Sequence, residues 1–161
     1  MNLLASAPGW LAAVMFSFLL LASLEDLWRL RIEDWLSAGV ALGAFLSLAM
    51  DGPAAGLWQN LLLFALVLGI GTLLFVRGWM GGGDVKLLAA CALWFDLDSG
   101  WKMLVSVAIA GGLESVIVMT LRLLPWSETL RQRIAWLRKD EALPYGVAIA
   151  AGMAWIGLAI R

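Results

Sequence analysis

Four long stretches without a charged side chain constrain this fold more than any other feature. Residues 1–24, 35–50, 52–76 and 142–160 contain no Asp, Glu, Lys or Arg. A helix needs about 20 apolar residues to cross a bilayer core, and these stretches do not alternate as membrane β-strands do. The chain is 63% hydrophobic and 14% charged, against about 45–50% and about 25% in soluble domains. We therefore expect an all-α, polytopic membrane protein.

Breakers divide the apolar sequence into six segments that we predict to be transmembrane helices. They include "DGP" at 51–53, "RGWMGGG" at 77–83, "DLDSG" at 96–100 and Pro125, which are typical of turns. Residues 1–161 are expected to form one domain. The predicted helices cover residues 8–25, 35–50, 56–77, 84–97, 101–123 and 144–160.

The basic residues predict the orientation of these helices. With six spans, most of the Lys and Arg side chains fall on one side of the membrane, and Lys102 and Arg161 fall on the other. Because positive charge collects in cytoplasmic loops, both termini are expected outside the cytoplasm. The basic residues predicted to be cytoplasmic are Arg29, Arg31, Arg77, Lys86, Arg122, Arg131, Arg133, Arg138 and Lys139.

The longest predicted connection contains an amphipathic pattern. Trp126, Leu130, Ile134 and Leu137 recur at helical spacing, and basic side chains lie mostly elsewhere around the turn. This pattern predicts an interfacial helix over residues 126–139. The helix could be a connector that anchors the chain to the membrane, or a surface that contacts a substrate or partner.

The sequence excludes several kinds of catalytic site. It has no histidine and a single cysteine, Cys91. A His-based triad, an HExxH zinc site and a zinc site built from several cysteines are therefore impossible. We expect no metal and no cofactor, and a net charge of −1 gives no reason to expect a nucleic-acid partner.

Two aspartates are predicted to lie at the same membrane face. The first predicted helix runs inward and ends near Asp26, and the fourth starts at Asp84 on the cytoplasmic side. If the bundle brings these helices together, two carboxylates meet near the interface. Such a pair shares a proton, and two carboxyl groups are the minimum that catalysis by an aspartic protease requires. Alternatively, Asp84 only caps a helix and Asp26 is an ordinary interfacial charge.

Glu114 is a different kind of acidic residue, because it falls near the middle of the fifth predicted helix. A carboxylate at this depth is costly and usually faces the interior of a bundle. We interpret Glu114 as a structural or gating residue more readily than as a catalytic one.

Three motifs, in order along the chain, resemble those of type IV prepilin peptidases. They are "DLWRLRIEDWL" at 26–36, "GGGDVKLL" at 81–88 with the form Gly-x-Gly-Asp, and "LPYGVAIAAG" at 143–152. The small size is most similar to the short tight-adherence (Flp pilus) branch, and archaeal preflagellin peptidases are more distant relatives.

This resemblance implies a function and a set of site residues. Asp26 and Asp84 would be catalytic, and the reaction would remove a prepilin leader at the cytoplasmic face of a bacterial inner membrane. The expected partners are the prepilin and the lipid bilayer. The long prepilin peptidases carry a four-cysteine domain and methylate the new N-terminus; because this chain lacks both that domain's cysteines and its length, we expect no methylation. The remaining residues expected at the site are Gly81, Gly82, Gly83, Lys86, Pro144, Tyr145 and Gly146.

The first motif departs from the family pattern in one place. Glu33 and Asp34 replace its Pro-Asn, which relaxes the backbone and adds a carboxylate eight positions after Asp26. Asp34 is therefore a secondary catalytic candidate, as is Glu114. We prefer Asp26, because it precedes the basic run as the motif requires.

The positions of the aspartates at helix ends suggest different roles. Asp84 at a helix N-terminus favours the charged form and would be the base, and Asp26 at a C-terminus would hold the shared proton. The glycines at 81–83 either let a substrate backbone approach Asp84 or form a plain turn. Lys86 lies about 200° around the helix from Asp84, so it is expected to pair elsewhere or to reach lipid phosphate.

Two other classes of function remain compatible with the composition. One is a small transporter or channel, with Glu114 and the glycines along its path, and the other is a structural subunit of a secretion assembly. The acids gather at one face and do not form a chain across the bilayer, which favours the peptidase.

Overall fold

The computed structural model describes residues 2–52, 56–138 and 141–159. Within these ranges the chain forms helices and no β-strand, which confirms the predicted all-α class. A 3-10 turn at Ala135–Leu137 follows the seventh helix. The helices are α1 (Leu3–Ser6), α2 (Gly9–Arg29), α3 (Asp34–Asp51), α4 (Leu57–Val76), α5 (Gly82–Ala92), α6 (Leu97–Leu123), α7 (Glu128–Arg133) and α8 (Tyr145–Ala159).

Three of these helices are long and apolar enough to cross a membrane. They are α2, α4 and α6, with 21, 20 and 27 residues. Helices α3 and α8 are apolar but shorter, and α5 has 11 residues, which corresponds to only about 17 Å. The membrane character of the chain is therefore clear, whereas the count of six spans stays a prediction.

Three helix boundaries differ from the prediction by four or five residues. Helix α2 continues to Arg29 and stops at Leu30, whose backbone is left-handed with φ 51°. Helix α6 begins at Leu97, because the carboxylate of Asp96 accepts the Ser99 backbone N–H at 2.8 Å and caps it. Helix α5 ends at Ala92, five residues before the predicted end at 97.

The short helix α5 occupies the centre of the bundle. It packs against α3, α4 and α8, and its residues from Val85 to Ala92 are buried except for Lys86 and the partly exposed Leu88. Trp94 and Phe95, which follow it, are completely buried. Because it is apolar on nearly all sides, α5 has the character of a core helix.

The end of α5 lies inside the protein, where its free carbonyl groups need partners. The buried Asn60 side chain donates to the Leu93 carbonyl at 2.9 Å. The Leu3 backbone N–H, at the start of α1, donates to the Trp94 carbonyl at 2.9 Å. The Trp94 indole in turn donates to the Val40 carbonyl at 3.0 Å. Helix α1, which the sequence did not predict, thus closes the end of α5.

The prediction of one interfacial helix over 126–139 is wrong. Helix α7 has six residues, Ile134 is extended with φ −112° and ψ 101°, and the 3-10 turn follows. The Arg122 side chain explains the bend, because it donates to the Trp136 carbonyl at 2.8 Å and to the Glu141 carbonyl at 3.0 Å. These bonds hold the connection against the end of α6. Lys139, Arg161 and the side chains of Arg131 and Arg133 lie outside the described part of the chain.

Candidate active site

Four chain segments meet around a cavity of about 1090 Å³ at one end of the bundle. They are the C-terminal end of α2, the N-terminal ends of α3 and α5, and the segment that leads into α8. Asp26 and Asp84 both line this cavity. Only 4% of Asp26 and 8% of Asp84 is exposed, so the cavity presents two carboxylates from largely buried positions.

Asp26 is fixed by the first turn of α8. Its Oδ2 accepts the Gly146 backbone N–H at 2.8 Å, one of the N–H groups that a helix start leaves free. The Ser23 hydroxyl, one turn earlier on α2, lies 3.1 Å from the Gly146 carbonyl and 2.8 Å from the Leu19 carbonyl. Both polar groups of the Gly146 backbone are therefore directed at α2.

Gly146 leaves no room for a side chain at this contact. A Cβ there would lie 3.0 Å from Asp26 Oδ2, 3.1 Å from Asp26 Cβ and 3.1 Å from Ile32 Cδ1. The absence of a side chain lets the backbone of α8 approach the carboxyl group directly.

Asp84 is held by its own helix start. Gly81 is the residue before the first helical position, and the Asp84 carboxyl bonds back to the Gly81 backbone N–H. This is half of the capping-box arrangement, in which the third helical residue reaches back to the cap. A Cβ on Gly81 would lie 2.6 Å from Asp84 Oδ2, so this position also needs glycine. Asp84 is thus not the capping residue itself.

The alternative that the glycines at 81–83 form a plain turn is wrong for two of the three. Gly82 and Gly83 belong to the first turn of α5. A Cβ on Gly83 would lie 3.0 Å from the Ile32 carbonyl oxygen, so the glycine makes space for the protein's own backbone. The turn before α5 instead uses Gly78, whose φ of 72° favours glycine.

Helices α2 and α5 are held around one cavity by the helices that pack between them. Helix α3 packs against both of them, and so does α8. Ile32, between α2 and α3, is 5% exposed and contacts the glycines on both sides of the site. The two aspartates therefore depend on α3 and α8 for their relative position.

The other predicted site residues divide between two cavities. Lys86 and Asp34 line the aspartate cavity and pair at 2.6 Å between Nζ and Oδ1, with both side chains largely exposed. Tyr145 lines the same cavity. Pro144 and Glu114 line a second cavity, between α6 and α8. The Asp34 carboxylate thus forms a surface ion pair with Lys86.

The structure does not support assigning Asp84 as the base and Asp26 as the acid from their positions at helix ends. Asp26 does lie in the last turn of α2, but its carboxyl also faces the N-terminus of α8 through Gly146. A helix N-terminus carries partial positive charge, so both Asp26 and Asp84 face one. The position of a helix end no longer distinguishes base from acid.

Three residues of the site were not singled out from the sequence. Ser23 precedes Asp26 by three positions on the same face of α2, and this spacing is the signal that could have identified it. Ile32 had only its place within the first motif at 26–36, and Gly78 had only its place in the "RGWMGGG" breaker. Their roles depend on contacts with α5 and α8 that spacing does not predict.

The described residues include no group of three His, Cys, Asp or Glu side chains that could hold a metal ion. The aspartate cavity therefore offers carboxyl groups, backbone N–H groups and the ion pair of Lys86 with Asp34.

Comparison with known protein families gives a match to the type IV leader peptidase family over residues 13–121. The match covers more than half of the chain and includes Asp26, Asp84 and Glu114, whereas α8 lies beyond it. No curated protein and no solved structure matches the chain. On the extent of the family match, this apolar helical protein belongs to the type IV leader peptidase family.

Proposed function

We propose that this chain is an aspartic endopeptidase of the membrane that removes the leader peptide of Flp-like type IV prepilins. Asp26 and Asp84 are its catalytic residues. The observation that carries the proposal is that two buried carboxylates, 58 positions apart in sequence, line one cavity. Family membership favours this activity over a transporter, a channel or a structural subunit.

The chemistry requires one charged and one protonated carboxyl group. The charged group takes a proton from a water molecule, and the resulting hydroxide attacks the scissile carbonyl carbon. The protonated group donates to the carbonyl oxygen as the tetrahedral intermediate forms. Collapse of the intermediate breaks the C–N bond, and the amine leaves with a proton returned by the pair. No further reactant is needed.

The surroundings of the pair support this division of labour. Gly146 and Gly81 each present a backbone N–H to one aspartate, so each carboxyl group is oriented by the fold before substrate binds. Preorganised groups of this kind lower the cost of reaching the transition state.

We place the site at the cytoplasmic face of the bacterial inner membrane. Arg29, Arg31 and Lys86 line the aspartate cavity, and Arg77 lies between the end of α4 and Gly78, which also lines it. Concentrated positive charge at one end of the helices is typical of the cytoplasmic side. Because a chain with a single cysteine cannot form the four-cysteine site of the long prepilin peptidases, we propose leader removal without N-methylation.

The direct test is reconstitution with a candidate Flp-like prepilin in lipid vesicles. Mass spectrometry of the product should find a new N-terminus at one position and no added methyl group. The Asp84→Asn and Asp26→Asn proteins should leave the prepilin intact. Normal cleavage by either variant would refute the catalytic pair, and an added methyl group would refute the absence of methylation.

A further inference from the structure

The first turn of α8 presents two backbone N–H groups to acidic side chains of different helices. The Gly146 N–H donates to Asp26 of α2 at 2.8 Å. The Ala148 N–H contacts the carboxyl group of Glu114 on α6. Positions two apart lie about 200° from each other around a helix, so the two acids meet this turn on nearly opposite sides. Helix α8 packs against both α2 and α6, which agrees with that arrangement.

Helix α6 also holds the chain on both sides of Gly146. Before it, the Arg122 side chain donates to the backbone carbonyls of residues 141 and 142, at 3.0 and 3.2 Å. After it, the Glu114 carboxyl group contacts the Ala148 N–H. Gly146 therefore lies between two polar contacts with one helix, and its position depends on α6.

The Glu114 carboxyl group faces the protein and not the aspartate cavity. Its Oε2 is enclosed and accepts no hydrogen bond from the residues that the structure describes, and the residue lines only the second cavity, between α6 and α8. The group is nevertheless close enough to Asp26 and Asp84 to interact with both electrostatically. A carboxyl group near the middle of an apolar helix is costly, so we expect a role beyond packing, exerted through the protein.

From this arrangement we propose that Glu114 is a positioning residue, which holds the first turn of α8 against α6 and thereby fixes the Gly146 N–H that orients Asp26. The inference rests on the proposed function. Without the Glu114 oxygen, the start of α8 loses a polar contact with α6 and can shift relative to α2. A displacement of about 1 Å at a catalytic group can cost about 100-fold in rate.

Kinetics of prepilin cleavage test this role. Glu114→Leu removes the oxygen that contacts Ala148 and should lower kcat at least about tenfold, because Asp26 is displaced. KM should stay nearly unchanged, since no contact with the substrate is lost. Glu114→Gln keeps an oxygen in the same place and should restore most of kcat. The matched control is Ser115→Ala, whose hydroxyl bonds within its own helix to the Gly111 carbonyl; both constants should stay unchanged.

A double-mutant cycle tests whether Glu114 acts through Gly146. Gly146→Ala by itself crowds the contact with Asp26. In that background, Glu114→Leu should lower kcat by clearly less than it does alone, because residues that act through one contact are not additive. Glu114→Met, a flexible side chain without an oxygen, is a second variant for the same cycle if Leu packs poorly. Losses in kcat that simply multiply would show that the two positions act independently and would overturn the inference.

Amide hydrogen exchange tests the contact without any substrate. In vesicles, residues 145–148 should exchange faster in Glu114→Leu than in the unmodified chain, because local opening follows the loss of a holding contact. Glu114→Gln should return their exchange close to the original rate, and the middle of α4 is the internal reference. Unchanged exchange at 145–148 in Glu114→Leu would contradict the proposed role.

These measurements separate the role of Glu114 from the proposed function. If the unmodified chain cleaves no prepilin, the proposed function fails, and hydrogen exchange alone decides whether Glu114 holds α8. If the chain cleaves and Glu114→Leu leaves kcat unchanged, only the role of Glu114 fails. A purely structural role would lower the thermal unfolding midpoint of Glu114→Leu and leave kcat per folded protein unchanged, which would also refute positioning.

Discussion

At the scale of single residues, Asp26 differs from the neighbouring acids in what surrounds it. Arg29 pairs with Glu25 at 3.5 Å and with Glu33 at 3.6 Å, on the exposed rim of the cavity. Asp26 instead is buried and receives a backbone N–H. Burial combined with a fixed orientation is typical of a catalytic carboxyl group. Glu25 also accepts a backbone N–H, from Glu33 at 3.2 Å, but its carboxylate is paired with Arg29.

We predict that Asp34→Asn will keep leader cleavage close to the original rate. The side chains of Asp34 and Lys86 are 76% and 51% exposed, and an exposed pair contributes at most about 1 kcal/mol. Initial rates on the same prepilin provide the measurement, with Asp26→Asn as the inactive comparison. Loss of activity in Asp34→Asn with full activity in Asp26→Asn would exchange the two assignments.

Gly146→Ala should reduce kcat by at least about tenfold, because small displacements of a catalytic group are costly. The added methyl group would lie 3.0 Å from Asp26 Oδ2 and would displace α8 or the carboxyl group. The matched control is Gly112→Ala in α6, where a Cβ meets nothing within 4 Å. Unchanged kcat in Gly146→Ala would mean that the contact between α8 and Asp26 does not matter for turnover.

At the scale of helices, the sequence predicted which helices form better than it predicted where they begin and end. The starts of α3, α4 and α8 and the ends of α3 and α4 lie within one residue of the prediction, and the breakers at 51–53 and 77–83 follow α3 and α4. The end of α5 did not follow from any breaker. The end of α5 depends on Asn60 and Leu3, which donate hydrogen bonds to carbonyl groups more than 30 residues away. Local sequence patterns cannot predict partners at this separation.

Asn60→Leu should destabilise the folded protein by about 1–3 kcal/mol, the cost of a buried carbonyl that loses its donor. Asn60 is completely buried and bonds to the Leu93 carbonyl. Thermal unfolding in detergent provides the measurement. Thr72→Val is the control, because that exposed hydroxyl bonds only to its own helix at Leu68. Equal midpoints for the two variants would contradict this account of the α5 end.

The failed prediction of an interfacial helix has a comparable cause. The apolar spacing of Trp126, Leu130, Ile134 and Leu137 is real, but Leu137 is buried against the bundle at 2% exposure. Arg122 binds the backbone beyond α7 and bends it away from a continuous helix. Tertiary hydrogen bonds of one arginine thus override a periodic pattern over fourteen residues.

At the scale of the whole molecule, the sequence predicted that Asp26 and Asp84 lie at one end of the bundle. It did not predict which contacts bring them together. Counting spans requires only composition and charge, and the structure puts both residues around one cavity. The contributions of Gly146 and Ile32 follow from how α3 and α8 pack between α2 and α5. Packing of that kind depends on shape, which no short motif records.

Cysteine labelling should establish the orientation of the molecule. We predict that Ser127→Cys, between α6 and α7, is protected from an impermeant maleimide in intact cells and is labelled after lysis. Asp98→Cys at the opposite end, where the side chain is 90% exposed, should be labelled in intact cells. Cys91 is completely buried and should add no background. The reverse pattern would place the aspartate cavity outside the cytoplasm.

The contact between α1 and the end of α5 also bears on how the chain is made. Leu3 leaves the ribosome long before Trp94 exists, yet the two share a hydrogen bond in the finished bundle. Until the segment around Leu3 and Leu4 packs against the end of α5, the Trp94 carbonyl lacks this donor. The central helix is therefore closed by a segment synthesised well before it.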